Sequence, residues 1–127
     1  MGLWTILVVS LGASLGALFR FWLGVNLNSL FPTLPLGTLF ANLIGGFLMG
    51  LFISFTKQYA ILSGNMRLFI ATGFLGGLTT FSTFSGEVTS LILQEQYVWG
   101  VVATLSHVLG SLLATIAGIY FMKLCFG

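Results

Sequence analysis

The stretch Thr72-Gly73-Phe74-Leu75-Gly76-Gly77-Leu78-Thr79-Thr80-Phe81-Ser82-Thr83-Phe84-Ser85-Gly86-Glu87 decides how the chain is read. It lies inside a long apolar segment, yet it is poorly made for a plain membrane helix. Gly73, Gly76 and Gly77 each weaken helix propensity by about 1 kcal/mol. Thr79, Thr80, Ser82, Thr83 and Ser85 then crowd the positions that follow. Backbone at lipid depth must satisfy its own hydrogen bonds, and a break is tolerated only where it is buried in protein or lines a polar cavity. Discontinuous helices use such breaks to present backbone groups to an ion. We therefore expect a span broken near Gly76 to Thr79 that handles an ion. Glycines alone favour simple close packing against a neighbouring helix. The density of hydroxyls and the pair Phe81 and Phe84 argue against that plainer reading.

Composition supports a membrane setting. Charged residues are 5% of the 127 and hydrophobic residues 57%, with a mean hydropathy of +1.12. A soluble domain carries about 25% charged residues, and one of this size has no means of hiding so much apolar surface. The bilayer is the solvent, and the length allows about four spans of roughly 20 residues. Residues 1–127 thus read as a single all-α domain of four transmembrane helices. The net charge of +2 is too sparse for a nucleic-acid surface. The lone Cys125 has no internal disulfide partner. The first apolar run lacks a charged n-region and a small-residue cleavage site, so we expect a retained span rather than a signal peptide.

The expected spans are Leu3 to Val25, Leu36 to Phe55, Arg67 to Leu93 and Tyr97 to Leu124. Gly12-x-x-x-Gly16 in the first and Gly46-x-x-x-Gly50 in the second have the spacing of close helix–helix approach. Arg20, near the far end of the first span, must snorkel to the interface, pair or face water. Asn42 is an amide well inside the second span, where a hydrogen bond to another helix accounts for it without any ligand. The third span is longer than a straight helix needs, in keeping with a break. On the fourth, His107, Ser111 and Thr115 recur on one face, with Thr104 close by. Hydroxyls there either bond back to their own helix carbonyls or form a polar stripe turned from lipid. With the N-terminus inside, Lys57, Arg67 and Lys123 face the cytoplasm and Arg20 the other side. So slight a bias is compatible with insertion both ways round.

The residues support transport rather than catalysis. There is one His, no metal-ligand cluster, and no nucleophile–His–acid set. Gly73-x-x-Gly76-Gly77 is no dinucleotide fingerprint, because no strand of a soluble fold precedes it. Phe81 and Phe84 share a helix face, and phenyl edges carry partial positive charge. Asn42 and the hydroxyls of Ser82, Thr83, Ser111 and Thr115 are hydrogen-bond donors. Together they can replace the water around a small, strongly hydrated anion. Ordinary aromatic packing is the plainer account of the two rings. Free carbonyls at the break attract a hard cation instead. Glu87 is either an intramembrane proton carrier or a residue at the mouth of a water-filled vestibule; its place near the end of its span favours the vestibule.

The run Gly73-Phe-Leu-Gly-Gly-Leu-Thr-Thr-Phe-Ser-Thr-Phe-Ser85 resembles the signature of the fluoride-channel family, Fluc, also called CrcB proteins. Gly16-Ala-Leu-Phe-Arg20, Gly37-Thr-Leu-Phe-Ala-Asn42 and Gly45-Gly46 match as well, and the likeness covers the whole chain. The resemblance implies a fluoride-selective channel through which fluoride leaves the bacterial cytoplasm passively across the inner membrane. It implies an antiparallel, dual-topology homodimer with two pores along the subunit interface. Phe81, Phe84 and Asn42 match pore residues. Gly76 and Thr79 match positions whose backbone carbonyls hold a central structural sodium ion that is not transported. Ser111 and Thr115 match the polar track of the last helix. His107 stands where a serine is expected in that track. Arg20 matches an arginine near the pore entrance. Two other classes remain: a small proton-coupled exporter, which needs a carboxylate deep in a span, usually the first, and a purely structural membrane subunit, which needs no aligned polar residues.

Overall fold

A computed structural model describes residues 1–127, and all of its regular secondary structure is helical. Helix α1 is Leu3–Leu27, α2 is Leu36–Gln58, and α6 is Tyr97–Phe126. Between α2 and α6 runs a composite segment. It opens with α3, Gly64–Arg67, passes into a π-helical stretch, Leu68–Leu75, and ends its first half in α4, Gly76–Leu78. Its second half is α5, Phe81–Leu93. Four helical segments, Leu3–Leu30, Leu36–Gln58, Gly64–Leu93 and Tyr97–Phe126, are long and apolar enough to cross a membrane. The helices outrun the apolar cores read from sequence by a few residues, because polar ends such as Lys57 and Gln58 continue the helical ladder beyond lipid depth.

The ends of the helices are fixed by side chains. No residue at the start of α2 caps it. Instead the Asn28 Oδ1 accepts from the backbone N–H groups of Gly37 (2.8 Å) and Thr38 (3.3 Å), two of the donors that every helix start leaves unpaired. Ser63 caps the opening turn of α3 through Met66 N–H at 3.1 Å. At the α5–α6 turn Glu95 takes φ 61°, the left-handed conformation that commonly closes a helix.

Small residues set the packing. α1 lies on the composite segment so closely that a Cβ at Gly16 would run into the Phe74 carbonyl. α2 and α6 meet in the same way, with Gly50 against the Thr115 carbonyl and Gly118. Both glycine pairs seen in the sequence are therefore close-approach surfaces, the means by which helices associate where lipid removes the hydrophobic drive. Leu23, Ala41, Leu75 and Leu78 form the main core between α1, α2 and the composite segment. Leu34, Leu91 and Ala103 form a smaller one under the α5–α6 turn. α6 rests on α2 and α5 and does not touch α1. That arrangement leaves an open face between the first half of the composite segment and α6.

Candidate functional site

The site is built on the junction of α4 and α5. Thr79 (φ −85°, ψ 154°) and Thr80 (φ −148°, ψ 119°) are both extended. The sequence reading put the irregularity at Gly76 to Thr79; in the structure Gly76–Leu78 are still helical and the extended pair is Thr79 and Thr80. The shift follows from the π-helical stretch, whose wider turns carry the helix past the glycines. π-helical turns within α-helices are frequent at functional sites.

Hydrogen bonds explain how the chain tolerates the junction. In an unbroken helix the Thr80 N–H would donate to the Gly76 carbonyl; here it donates to Asn42 Oδ1 at 2.8 Å. The Thr83 N–H would donate to the Thr79 carbonyl; here it donates to the Thr80 hydroxyl at 3.1 Å, which makes Thr80 the N-cap of α5. The Thr80 carbonyl accepts from Asn42 Nδ2 at 3.1 Å. The helical donors of the Gly76 and Thr79 carbonyls are thus both diverted to side chains. Arg20 is tied in too: its Nε donates to the Gly77 carbonyl at 3.2 Å. Of the fates open to Arg20, the structure gives pairing, with a backbone carbonyl as partner.

A cleft of about 440 Å³ lies on the open face. Gly76, Thr79 and Thr80 line it from the junction, Asn42 from α2, Phe81 and Phe84 from α5, and His107, Ser111 and Thr115 from α6. No charged residue lines it. The Phe81 and Phe84 rings stand 5.5 Å apart at 73°, edge to face. Phe84 is buried, and its ring lies 4.6 Å from the His107 imidazole. Phe81 is 77% exposed on the single chain. His107 is buried, and its Nδ1 lies 2.9 Å from Asn42 Nδ2. The Ser111 hydroxyl bonds to nothing in the chain, whereas the Thr115 hydroxyl donates to the Ser111 carbonyl at 2.9 Å. So Ser111 keeps its donor free and Thr115 spends its own within the helix.

Three expectations need correction. Ser82 and Thr83 do not join the donors of the cleft. They belong to the first turn of α5, where the Thr80 hydroxyl donates to Thr83 Oγ1 at 3.1 Å and lies 3.3 Å from Ser82 Oγ. Thr83 instead lines a second hollow, of about 330 Å³, with Arg20. Thr104 leaves the polar stripe, because its hydroxyl bonds back to the Gly100 carbonyl at 2.8 Å and it lines a different hollow. Glu87, expected at the mouth of a vestibule, lies apart from the cleft. Its Oε2 accepts from the Thr38 hydroxyl at 2.7 Å, in a polar hollow lined by Thr33, Ser90, Gln94 and Gln96. Two residues escaped the sequence reading. Thr80 carried a signal, a threonine directly before a helical aromatic run, which is N-cap chemistry. Thr38 also carried one, because it lies one turn before Asn42 on the same face.

Four helices apolar enough to span a bilayer, with a cleft free of charged residues between them, define the class of multi-pass membrane protein. Comparison with known proteins narrows this. Residues 7–119 match the family described as CrcB-like protein, Camphor Resistance (CrcB), and the chain belongs to that family. It is 54% identical over 123 residues to a fluoride-specific ion channel FluC of Nitrosospira multiformis, covering 97% of this chain and 96% of that one. It is 51% identical over 122 residues to the protein of the same name from Tolumonas auensis, covering 96% of each. The FluC of Chromobacterium violaceum is 53% identical over 115 residues, 91% of each chain.

Proposed function

We propose that this chain is a fluoride-selective channel, not an enzyme, that lets fluoride leave the bacterial cytoplasm passively and so confers fluoride resistance. The observation that carries the reading is the cleft at the α4–α5 junction. It gathers the amide of Asn42, the free hydroxyl of Ser111 and the rings of Phe81 and Phe84, with no full charge among them. Conduction needs a site that replaces the hydration shell yet holds the ion weakly enough to release it. Dipoles and ring edges meet that need better than a lysine or arginine. The relatives' shared name supports fluoride as the ion.

The working unit in this reading is an antiparallel homodimer in the inner membrane, with two pores along its interface. A cleft that lies open on one copy is closed by a second, and a two-fold axis brings the same surface from each. Gly76 supports this. It is exposed, and a Cβ built there meets only Ala71 O, at 3.8 Å. Space on the single chain is what a partner's approach requires.

A structural sodium fits the same place. The Gly76 and Thr79 carbonyls have lost their helical donors to Asn42 and Thr80, and carbonyl oxygens are the donor set of a hard cation. When bound, the ion would supply the positive charge that holds these carbonyls from two copies together, and it is not transported. Glu87, hydrogen-bonded to Thr38 in its own hollow, borders the vestibule in this reading.

The test is fluoride efflux from liposomes, read with a fluoride electrode and with chloride as comparison. Fast, electrogenic fluoride release that ignores an imposed proton gradient is expected. Tight coupling to protons would overturn the reading in favour of an exporter, although α1 carries no carboxylate to do that work.

A further inference from the structure

The cations of the chain are unevenly placed. Lys57 lies in the last turn of α2, Arg67 in α3 and Lys123 in the last turn of α6. These ends are neighbours: the Tyr59 hydroxyl, just past α2, donates to the Phe126 carbonyl at 3.1 Å. Both carboxylates lie at the other end. Glu87 bonds to Thr38 in the first turn of α2, and Glu95 sits in the α5–α6 turn. One end of the bundle thus carries Lys57, Arg67 and Lys123, all exposed, and neither acidic residue.

A groove of about 410 Å³ runs into the bundle from this end. Leu51, Phe52 and Phe55 line it from α2, Ile70 and Phe74 from the π-helical stretch, and Leu62 from the turn between α2 and α3. Every residue lining it is apolar. From Phe55 back to Leu48 it covers about 10 Å of α2. That is two-thirds of the hydrocarbon depth of one leaflet, about 15 Å. Arg67 stands at its mouth, where its Nε donates to the Leu62 carbonyl at 3.4 Å. That bond holds the guanidinium beside a groove residue and leaves its two terminal amino groups without a partner in the chain.

The groove is not the face that a second copy closes in the reading above. It shares only Leu75 with the cleft. On α2 the cleft takes Asn42, Gly45, Gly46 and Met49, and the groove takes Leu48, Leu51, Phe52 and Phe55. At 3.6 residues per turn these two strips lie roughly a third of a turn apart. A neutral lipid would fill the groove and leave the guanidinium unpaired. An anionic phospholipid satisfies both, because a phosphate accepts the two parallel bonds of an arginine fork. Basic pockets between membrane helices hold anionic headgroups in this way.

We propose that this groove binds one acyl chain of an anionic phospholipid whose phosphate is held by Arg67, with Lys57 and Lys123 adding positive charge to the same leaflet. The site lies beyond the channel reading and does not depend on it.

Native mass spectrometry of the full chain in detergent, with phosphatidylglycerol or with phosphatidylcholine of the same acyl chains, tests the proposal. One phosphatidylglycerol per chain should be retained, with about tenfold greater occupancy than phosphatidylcholine. Arg67→Gln should abolish that preference. Lys57→Gln removes the same charge from the same end and should lower occupancy by no more than about threefold. Equal losses in the two variants would mean a diffuse attraction and overturn the site, as would equal retention of the two lipids. Excess glycerol 3-phosphate should not displace the lipid; displacement would mean a phosphate held without its chain, and would also overturn it. Position is read on the parent without any substitution. Phosphatidylglycerol with a diazirine in its acyl chain should crosslink to Phe52, Phe55, Ile70 and Phe74. Crosslinks scattered over α1 and α6 overturn the proposal. A groove left unlabelled in a dimeric protein gives that face to the second copy and overturns it equally.

Discussion

Asn42 holds the backbone of Thr80 from both sides, accepting from its N–H at 2.8 Å and donating to its carbonyl at 3.1 Å. A carboxamide side chain offers the same donor and acceptor as a peptide unit. At Thr80 it stands in for the helical partners that the extended conformation gives up. This is how an irregular pair of residues survives inside a segment otherwise long and apolar enough to span a bilayer. The same contact fastens α2 to the junction of α4 and α5 and brings Asn42 to the edge of the cleft.

Asn42→Ala should therefore act on stability and transport together. It unpairs the Thr80 N–H and carbonyl at once, and each buried orphan costs about 1–3 kcal/mol. Unfolding by mixed detergent should show a loss of roughly 2–5 kcal/mol by that reckoning. Fluoride flux from the fraction that folds should fall more than about tenfold. A variant as stable as its parent would mean that water, not Asn42, satisfies Thr80.

The neighbouring glycines Gly76 and Gly77 should behave oppositely. A Cβ at Gly77 would strike the Ala13 carbonyl of α1, and overpacking of this kind costs about 1–3 kcal/mol. Gly77→Ala should lower the unfolding midpoint of the single chain. Gly76→Ala has room and gains up to about 1 kcal/mol of helix propensity, so the fold of one copy should be kept or improved. Its fault should appear in association, as a shift from dimer to monomer on size exclusion in detergent. Equal destabilisation of the fold by both variants would refute the view that Gly76 faces a partner.

Phe81→Ile and Phe84→Ile should both lower fluoride flux, about tenfold or more, because ring edges are lost. Their stabilities should differ. Phe81 is 77% exposed on one copy, so its replacement removes little from the fold of the single chain. Phe84 is buried against His107, and losing that tilted ring contact costs about 1 kcal/mol. Thermal unfolding of the two variants beside the efflux assay separates the effects. Unchanged flux in both would reduce the rings to ordinary packing.

Much of this architecture was legible because it depends on local chemistry. Twenty-residue apolar runs specify helices by length alone. Glycines spaced four apart announced the surfaces where α1 and α2 meet their neighbours. What escaped the reading depends on partners far along the chain. Nothing near Asn42 says that its amide faces Thr80, 38 residues away. Nothing near Arg20 names the Gly77 carbonyl. Ser82 and Thr83 were misplaced because a hydroxyl beside a helix start serves the cap before it serves a ligand. Thr104 and Thr115 illustrate the same rule inside α6, where each bonds to its own i−4 carbonyl. The π-helical register of Leu68–Leu75, which moves the junction from the glycines to Thr79 and Thr80, has no sequence signature that we can identify.

Removing sodium tests the last element of the proposal. The Gly76 and Thr79 carbonyls have both lost the N–H that a continuous helix would give them. Exposed to lipid or to an apolar interface, such oxygens are costly, so something must satisfy them: water, a donor from the second copy, or a cation. These choices predict different behaviour on exchange into a buffer whose only cation is N-methylglucamine, too large to enter a cage of carbonyls. Water or a partner's donor would be indifferent to the change. A bound sodium would be lost, leaving the oxygens of two copies facing one another with no charge between them. Fluoride flux should then fall and the dimer should dissociate at lower detergent, with both recovering when sodium is restored. Full activity and an intact dimer after exhaustive exchange would remove sodium from the account, while the diverted hydrogen bonds at Thr80 and Thr83 would still require another partner for those oxygens.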